Sequence, residues 1–195
     1  MVRASRNTNK DENVTIRLAS KKDYLQIIAV QLKSLEVLAA KDYQPHQLQA
    51  LLNNKSYPRS VLEIVFVAEV EDKIIGFAAL DRYTSSLAGL FVDPDYTRQG
   101  IGTKLLQKVE IEAVRLNIPI LWVCASLTGY PFYQANNYQT IKKNSILIDY
   151  TFIPCIQMKK RLLTPTKKEK TISILYFIAQ ILLIVWSLII VMASL

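Results

Sequence analysis

The segment at residues 87–116 combines an apolar strand, a short glycine-containing loop and an amphipathic helix. Residues 87–92 are apolar or small and predict the strand, and residues 93–95, with the sequence Asp-Pro-Asp, predict a turn. Gly100 and Gly102 lie where a helix begins, because apolar residues then follow at helical spacing: Ile101, Leu105, Leu106, Val109, Ala113 and Leu116. The first amide groups of a helix lack intrahelical partners and the helix dipole favours an anion there, so this arrangement indicates a phosphate site.

Two cations strengthen that interpretation. Arg98 and Lys104 place positive charges on either side of the predicted helix start, and glycine lets a phosphate group approach the backbone closely. Many helices begin after a glycine, so the two glycines alone do not specify a ligand. The strand, the turn and the cations together strengthen the prediction of a phosphate site.

The end of the sequence predicts a membrane segment. Residues 171–195 contain no charged side chain, and Gln180 is their only strongly polar residue. A helix of about 25 residues is roughly 37 Å long, which exceeds the hydrocarbon core of about 30 Å. We therefore expect a single-pass C-terminal anchor, a tail anchor. The alternative is a helix that packs within the same chain and leaves the protein soluble.

Positive charge is concentrated just before that segment. The chain has a net charge of +8, but residues 13–156 carry 15 Lys and Arg against 13 Asp and Glu. Residues 157–170 hold six Lys or Arg and only Glu169. The positive-inside rule then keeps the preceding domain in the cytoplasm. No basic face interleaved with aromatic residues occurs elsewhere, which argues against nucleic-acid binding.

The cysteines and the histidine predict neither a disulfide nor a metal site. Cys124 and Cys155 both lie in apolar runs, which is typical of buried free thiols in a reducing compartment. His46 is the single histidine and has no cluster of cysteines or carboxylates around it. We expect no metal.

The periodicities along the chain predict one domain with the order strand, two helices, three strands, helix, strand, helix, two strands. The first helix is expected at residues 21–40, and the last two strands are expected at 138–142 and 145–158. The chain is accordingly divided into a polar N-terminal extension at 1–13, a domain at 14–158, a basic linker at 159–170 and the transmembrane segment at 171–195.

Two passages resemble motifs of the GNAT N-acetyltransferase family. VDPDYTRQGIGTKLL, from residue 92, is similar to its acetyl-CoA loop, with Thr97 where Arg or Gln is usual. ASLTGYPFYQANNY, from residue 125, is similar to its tyrosine motif: Tyr133 matches the near-universal tyrosine, Ser126 replaces the usual Asn, and Asn137 replaces a glycine. The element order matches as well. The amino-acid sequences of the two passages resemble those of a bacterial branch of the family whose substrates are poorly defined.

The resemblance covers about residues 14–160 and implies an α+β (α/β three-layer) GNAT fold, with a mixed, mostly antiparallel sheet flanked by helices. The implied function is transfer of acetyl from acetyl-CoA to the primary amine of a small molecule or peptide, by direct attack in a ternary complex. The C-terminal anchor, which lies outside the resemblance, would place this reaction at the membrane. A degenerate GNAT domain that only binds acetyl-CoA or a partner is the alternative, because Thr97 and Ser126 depart from the motifs. A homodimer is compatible with the resemblance.

The resemblance also assigns roles to residues. Tyr133 would protonate the leaving thiolate, since a phenol has a reference pKa of about 10; the alternative is a core aromatic. Asp81 is the candidate general base, or else a turn residue, and Ser34 and Tyr43 are expected in the acceptor pocket. The residues expected to hold acetyl-CoA are Leu90, Phe91, Val92, Arg98, Gln99, Gly100, Ile101, Gly102, Thr103, Ser126 and Tyr133.

Overall fold

The structure is a computed structural model that describes residues 14–54, 63–167, 171–172 and 174–183. The chain forms two compact units, Met1–Leu162 and Leu163–Leu195. The strands described in the first unit are β1 (Thr15–Leu18), β2 (Glu63–Val70), β3 (Lys73–Asp81), β4 (Ser86–Val92), β5 (Ile120–Ala125), β6 (Gln139–Ile148) and β7 (Thr151–Arg161). Its α-helices are α1 (Tyr24–Ser34), α2 (Pro45–Asn53), α3 (Ile101–Arg115) and α4 (Tyr130–Ala135).

The described strands form one mixed sheet with the order β1-β2-β3-β4-β5-β7-β6. Neighbouring strands are antiparallel except for β4 and β5, which are parallel and are connected through α3. The element order agrees with the prediction, and the mixed, mostly antiparallel sheet flanked by helices is confirmed.

Side chains of the central strands alternate between two helix layers because successive residues of a strand point to opposite faces. Phe66, Ala78 and Leu80 pack with α3, whereas Val67, Phe77 and Ala79 pack with α1. The predicted apolar face of α3 is confirmed: Leu105, Leu106 and Val109 are at most 1% exposed. Each such side chain stabilises the fold by about 1.5–3 kcal/mol.

The first predicted helix consists of three segments. A 3₁₀ turn at Lys21–Asp23 precedes α1, and a π-helical turn at Leu35–Ala39 follows it. The prediction of one helix over residues 21–40 is therefore correct in extent but not in geometry. π-Helical turns are often found at functional sites, and hydrophobic periodicity does not reveal them.

The division between the last two strands was predicted wrongly. The hairpin turn lies at Asp149 and Tyr150, which have positive φ values of 45° and 60°, and not at residues 143–144. Adjacent residues with positive φ suit the right-handed twist of a hairpin, but such turns are usually signalled by Asn or Gly. Asp149-Tyr150 gives only a weak turn signal. β7 also continues to Arg161, three residues into the predicted linker.

The prediction of two free thiols is also wrong. Cys124 on β5 and Cys155 on β7 form a disulfide, with their Cα atoms 5.9 Å apart. These strands are adjacent and antiparallel, and their register places Cys155 two residues from Gln157, the partner of Cys124. Spacing along the chain gives no indication of this pairing, because 31 residues separate the two cysteines.

In the second unit, residues 171–172 and 174–183 are helical. No helix in the described part of the chain is long and apolar enough to cross a membrane. Residue 173 and residues 184–195 of the predicted transmembrane segment lie outside the described residues, as does the predicted extension at 1–13.

The buried face of α3 gives a test of the fold. Leu105→Ala is expected to lower the free energy of unfolding by about 2–5 kcal/mol, because it leaves a cavity under the sheet. Ile111→Ala, on the same helix but 64% exposed, is the control and should change it by about 0.5 kcal/mol or less. Denaturant unfolding of the full chain measures both. Equal effects would show that α3 does not pack as described.

Candidate active site

A separation between two neighbouring strands forms the centre of the site. β4 and β5 pair only at Ser86 with Trp122 and at Leu87 with Val123. Beyond these pairs β4 stays in the sheet through β3, but residues 89–92 have no ladder partner on β5. Their main-chain groups on that side are therefore available to a ligand.

An ion-pair network fixes the turn that leads from β4 to α3. The Asp93 carboxylate accepts hydrogen bonds from the Asp95 amide at 3.0 Å and from Lys33 Nζ at 2.7 Å, and Lys33 also contacts Asp95 at 2.6 Å. Burial acts to raise the pKa of Asp93, but the bonds from Lys33 and from the Asp95 amide outweigh it and lower the pKa. The Asp93 carboxylate therefore stays ionised and joins α1 to the start of the loop at residues 98–103, which we call the glycine loop.

The glycine loop adopts the conformation that suits an anion. Gly100 caps α3 with a φ of 78°, and Arg98 also has a positive φ, of 62°. A Cβ atom added at Gly100 would meet no atom within 4 Å, so the space in front of the helix start is open. The amide groups of Ile101, Gly102 and Thr103 point into this space, because the first amides of a helix have no intrahelical acceptor.

One cleft of about 860 Å³ extends from this loop past the separated strands to α1 and α2. It brings together most of the residues singled out in the sequence. The predicted residues that line it are Ser34, Tyr43, Leu90, Phe91, Val92, Arg98, Gly100, Ile101, Gly102, Thr103, Ser126 and Tyr133.

Tyr133 projects from α4 toward the cleft and is 6% exposed. Its ring makes edge contacts with Phe132 and Tyr138, at centroid distances of 5.2 and 5.5 Å. The loop before α4 is closed by Ser126 Oγ, which accepts a hydrogen bond from the Gly129 amide at 2.9 Å. α4 also contacts the start of α3, since a Cβ atom at Gly102 would lie 3.4 Å from Phe132 Cε2. Tyr133 and the glycine loop therefore belong to one packed unit.

Tyr43 connects the α1 and α2 side of the cleft to that unit. Its hydroxyl accepts a hydrogen bond from the Leu127 amide at 3.0 Å and donates one to the Pro154 carbonyl at 3.3 Å. Burial raises the pKa of Tyr43, so the phenol remains a donor. Next to it, Thr128 Oγ1 donates to Asp42 Oδ2 at 2.5 Å. Tyr43 thus joins the turn before α2 to the β5–α4 loop and to β7.

Two predicted site residues do not line the cleft. Asp81 accepts hydrogen bonds from the amides of Tyr83 and Thr84, at 2.8 and 3.2 Å, and closes the turn between β3 and β4. The structure thus corresponds to the alternative reading of Asp81 as a turn residue and gives no support to its role as the base. The Gln99 side chain donates to the Asp95 carbonyl at 3.4 Å, within the loop.

Several lining residues were not predicted. Gln31 lies one turn before Ser34 on the same face of α1, and this spacing could have identified it. A second group comes from the π-helical turn and the β6–β7 hairpin, whose positions depend on tertiary packing. They include Leu35, Val37, Leu38, Ile146, Ile148 and Ile153. Both members of the disulfide, Cys124 and Cys155, also line the cleft.

The residues present fit acetyl-CoA. The open helix start with its left-handed loop suits the pyrophosphate, Arg98 adds a positive charge, and the unpaired side of residues 89–92 offers main-chain groups to an amide-containing arm. The cleft passes from one helix layer of the sheet to the other through the gap between β4 and β5.

Comparisons with known proteins agree with this geometry. Residues 62–140 match the family model of the acetyltransferase (GNAT) domain. The uncharacterized N-acetyltransferase YafP of Escherichia coli (strain K12) is 27% identical over 137 residues, which are 69% of this chain and 87% of that protein.

Solved structures have the same fold. A GCN5-related N-acetyltransferase from Rhodopseudomonas palustris has a TM-score of 0.71 and 25% identity, and the match covers 76% of this chain and 95% of the other. PaiA N-acetyltransferase from Thermoplasma acidophilum, solved in complex with coenzyme A, has a TM-score of 0.61 and 21% identity, over 76% and 98% of the two chains. These similarities show an acetyl-CoA-dependent N-acetyltransferase, in which residues 62–140 resemble the acetyltransferase (GNAT) domain.

Proposed function

We propose that the enzyme transfers acetyl from acetyl-CoA to the primary amine of a small molecule or a peptide, by direct attack in a ternary complex. The observation that carries the proposal is the single cleft lined by the glycine loop, by the separated part of β4 and by Tyr133. Acetyl-CoA supplies the activated acyl thioester. A cleft open to both helix layers lets an acceptor approach from the α1 and α2 side while the cosubstrate lies at α3.

The chain's residues have three roles in this reaction. The amides of residues 101–103 hold the pyrophosphate, and main-chain groups of residues 89–92 hold the arm and polarise the thioester carbonyl. One hydrogen-bond donor to the developing oxyanion typically lowers the activation free energy by about 3 kcal/mol. Tyr133 gives its proton to the leaving thiolate, whose basicity is close to that of a phenol.

We propose also that the enzyme is tethered to a membrane by residues 171–195, with the catalytic domain in the cytoplasm. The absence of charge over these residues and the basic run before them support the proposal. In the described part of this segment, Leu175, Tyr176 and Phe177 are each more than 60% exposed. The Cys124–Cys155 disulfide weighs against a reducing compartment, but the charge distribution is the more direct determinant of orientation.

The glycine loop gives the first test. Gly100→Ala is expected to weaken acetyl-CoA binding by about tenfold, because alanine disfavours the positive φ that presents the amides of α3. Asn117→Ala is the matched control: Asn117 also has a positive φ, of 57°, but lies at the other end of α3. Calorimetry with the full chain measures both affinities. Wild-type protein that binds neither coenzyme A nor acetyl-CoA would contradict the proposed function.

The proton donor gives the second test. Tyr133→Phe is expected to lower kcat by about 100-fold or more while acetyl-CoA affinity stays unchanged, because only the proton for the thiolate is lost. Tyr130→Phe removes a hydroxyl from the same helix that does not line the cleft, and should leave kcat unchanged. Release of free thiol measures the rate. Unaltered turnover of Tyr133→Phe would rule out its role as the acid.

Membrane attachment is tested by fractionation. The full chain is expected in the membrane pellet after an alkaline wash and in the supernatant only after detergent is added. A chain that ends at residue 170 is the control and should stay in the supernatant. Protease should remove the catalytic domain from inside-out vesicles and not from right-side-out vesicles. Recovery of the full chain in the supernatant without detergent would contradict the tether.

A further inference from the structure

The acceptor side of the cleft has a distinctive chemical composition. We call its apolar residues the acceptor wall: Leu35, Val37, Leu38, Leu51, Ile146, Ile148 and Ile153. Among the described residues that line the cleft there is no Asp or Glu, and the charged ones are Lys41 and Arg98, both positive. An acceptor with several positive charges would find no counter-charge there, and charge in apolar surroundings is costly.

Gln31 supplies a polar group within this apolar environment. The residue is 6% exposed and lines the cleft, and its Nε2 atom donates to the Asn54 carbonyl at 3.5 Å. Its Oε1 atom is buried and has no hydrogen-bond partner among the described residues. Buried acceptors are nearly always paired in folded proteins, so an unpaired one on a side chain that lines a cleft indicates a ligand that donates to it. Ser34, one turn further along α1, is 7% exposed and lines the cleft beside it.

We propose that the acceptor is a primary amine on an apolar alkyl or aromatic body, bound with one N–H donating to Gln31 Oε1 and with the body against the acceptor wall. This inference rests on the proposed acetyl transfer and specifies its substrate class. A neutral primary amine has two N–H donors and one lone pair. Donation of one N–H to Gln31 leaves the lone pair available for attack.

The acceptor wall also bears on how the amine loses its charge. Apolar surroundings favour the neutral form of an amine and lower its pKa, so the ammonium group gives its proton to water as it enters. The nitrogen then forms the C–N bond with the acetyl carbon, the C–S bond breaks, and its electron pair stays on sulfur. The sulfur takes the proton of the Tyr133 hydroxyl. The nitrogen, which is positively charged after it has attacked, then gives one proton to the Tyr133 phenolate and so restores the phenol. This sequence of proton transfers does not require Asp81 or another carboxylate as a general base.

Two amines with the same six-carbon chain test the substrate class. Hexylamine and 1,6-diaminohexane differ at one end, where the second carries an additional positive charge. With the full chain in detergent, kcat/KM is expected to be at least about tenfold higher for hexylamine, because the additional charge would lie against the acceptor wall. A preference for the diamine, or turnover of neither amine by protein that binds acetyl-CoA, would overturn the inference while leaving acetyl-CoA binding intact.

Substitutions on β6 separate a local effect from a change in overall charge. Ile146→Asp places a carboxylate on the acceptor wall at a position that is 39% exposed, and should shift the preference toward the diamine by about tenfold. Ile141→Asp, on the same strand and 43% exposed but not lining the cleft, should leave the preference unchanged. An equal shift in both variants would show that the acceptor does not contact the acceptor wall.

The Gln31 contact has its own test. Gln31→Leu is expected to raise KM for hexylamine by roughly five- to tenfold, the value of one hydrogen bond, with the acetyl-CoA affinity unchanged. Gln49→Leu, on an exposed face of α2 outside the cleft, is the control. Calorimetric binding of acetyl-CoA reports whether each variant is folded. An unchanged KM in a variant that still binds acetyl-CoA would rule out the contact.

Discussion

The shortness of the pairing between β4 and β5 determines the rest of the site. These strands share two residue pairs and then separate, and the cleft runs through the gap. The neighbouring helices are arranged around this gap. α3 begins at its end with Gly100 in the left-handed conformation, α4 places Tyr133 on one side, and α1 with the π-helical turn covers the other. In a fully paired sheet the main-chain groups of residues 89–92 would be used by β5.

The opposite sides of the gap differ in chemistry. On the α3 side, main-chain amides and Arg98 suit a phosphate-bearing molecule. On the α1 side, the acceptor wall is apolar, and buried Gln31 and Ser34 are among its few polar neighbours. For the proposed reaction in a ternary complex, this difference would give the cosubstrate and the acceptor separate binding surfaces within one cleft. Tyr43 lines the same cleft, and its hydroxyl bonds both to the β5–α4 loop and to β7.

Local patterns predicted the fold and the nucleotide half of the site. The glycine loop, the apolar face of α3 and the tyrosine of α4 are each encoded within a few neighbouring residues, so sequence alone located them. The acceptor half depends on tertiary contacts. The π-helical turn leaves the periodicity of α1 unchanged, and the hairpin turn at Asp149 and Tyr150 lacks the usual Asn or Gly. Asp81 ends a strand, but whether such a residue faces a site or caps its own turn depends on the adjacent loop.

The bond between Cys124 and Cys155 has a consequence for the chain between them. It closes a covalent ring that contains α4, Tyr133 and the whole of β6, and both of its sulfur-bearing residues line the cleft. A covalent ring of this size lowers the conformational entropy of the unfolded chain. The oxidation state of the two sulfur atoms therefore determines how far the segment that carries Tyr133 can move from its position in the fold.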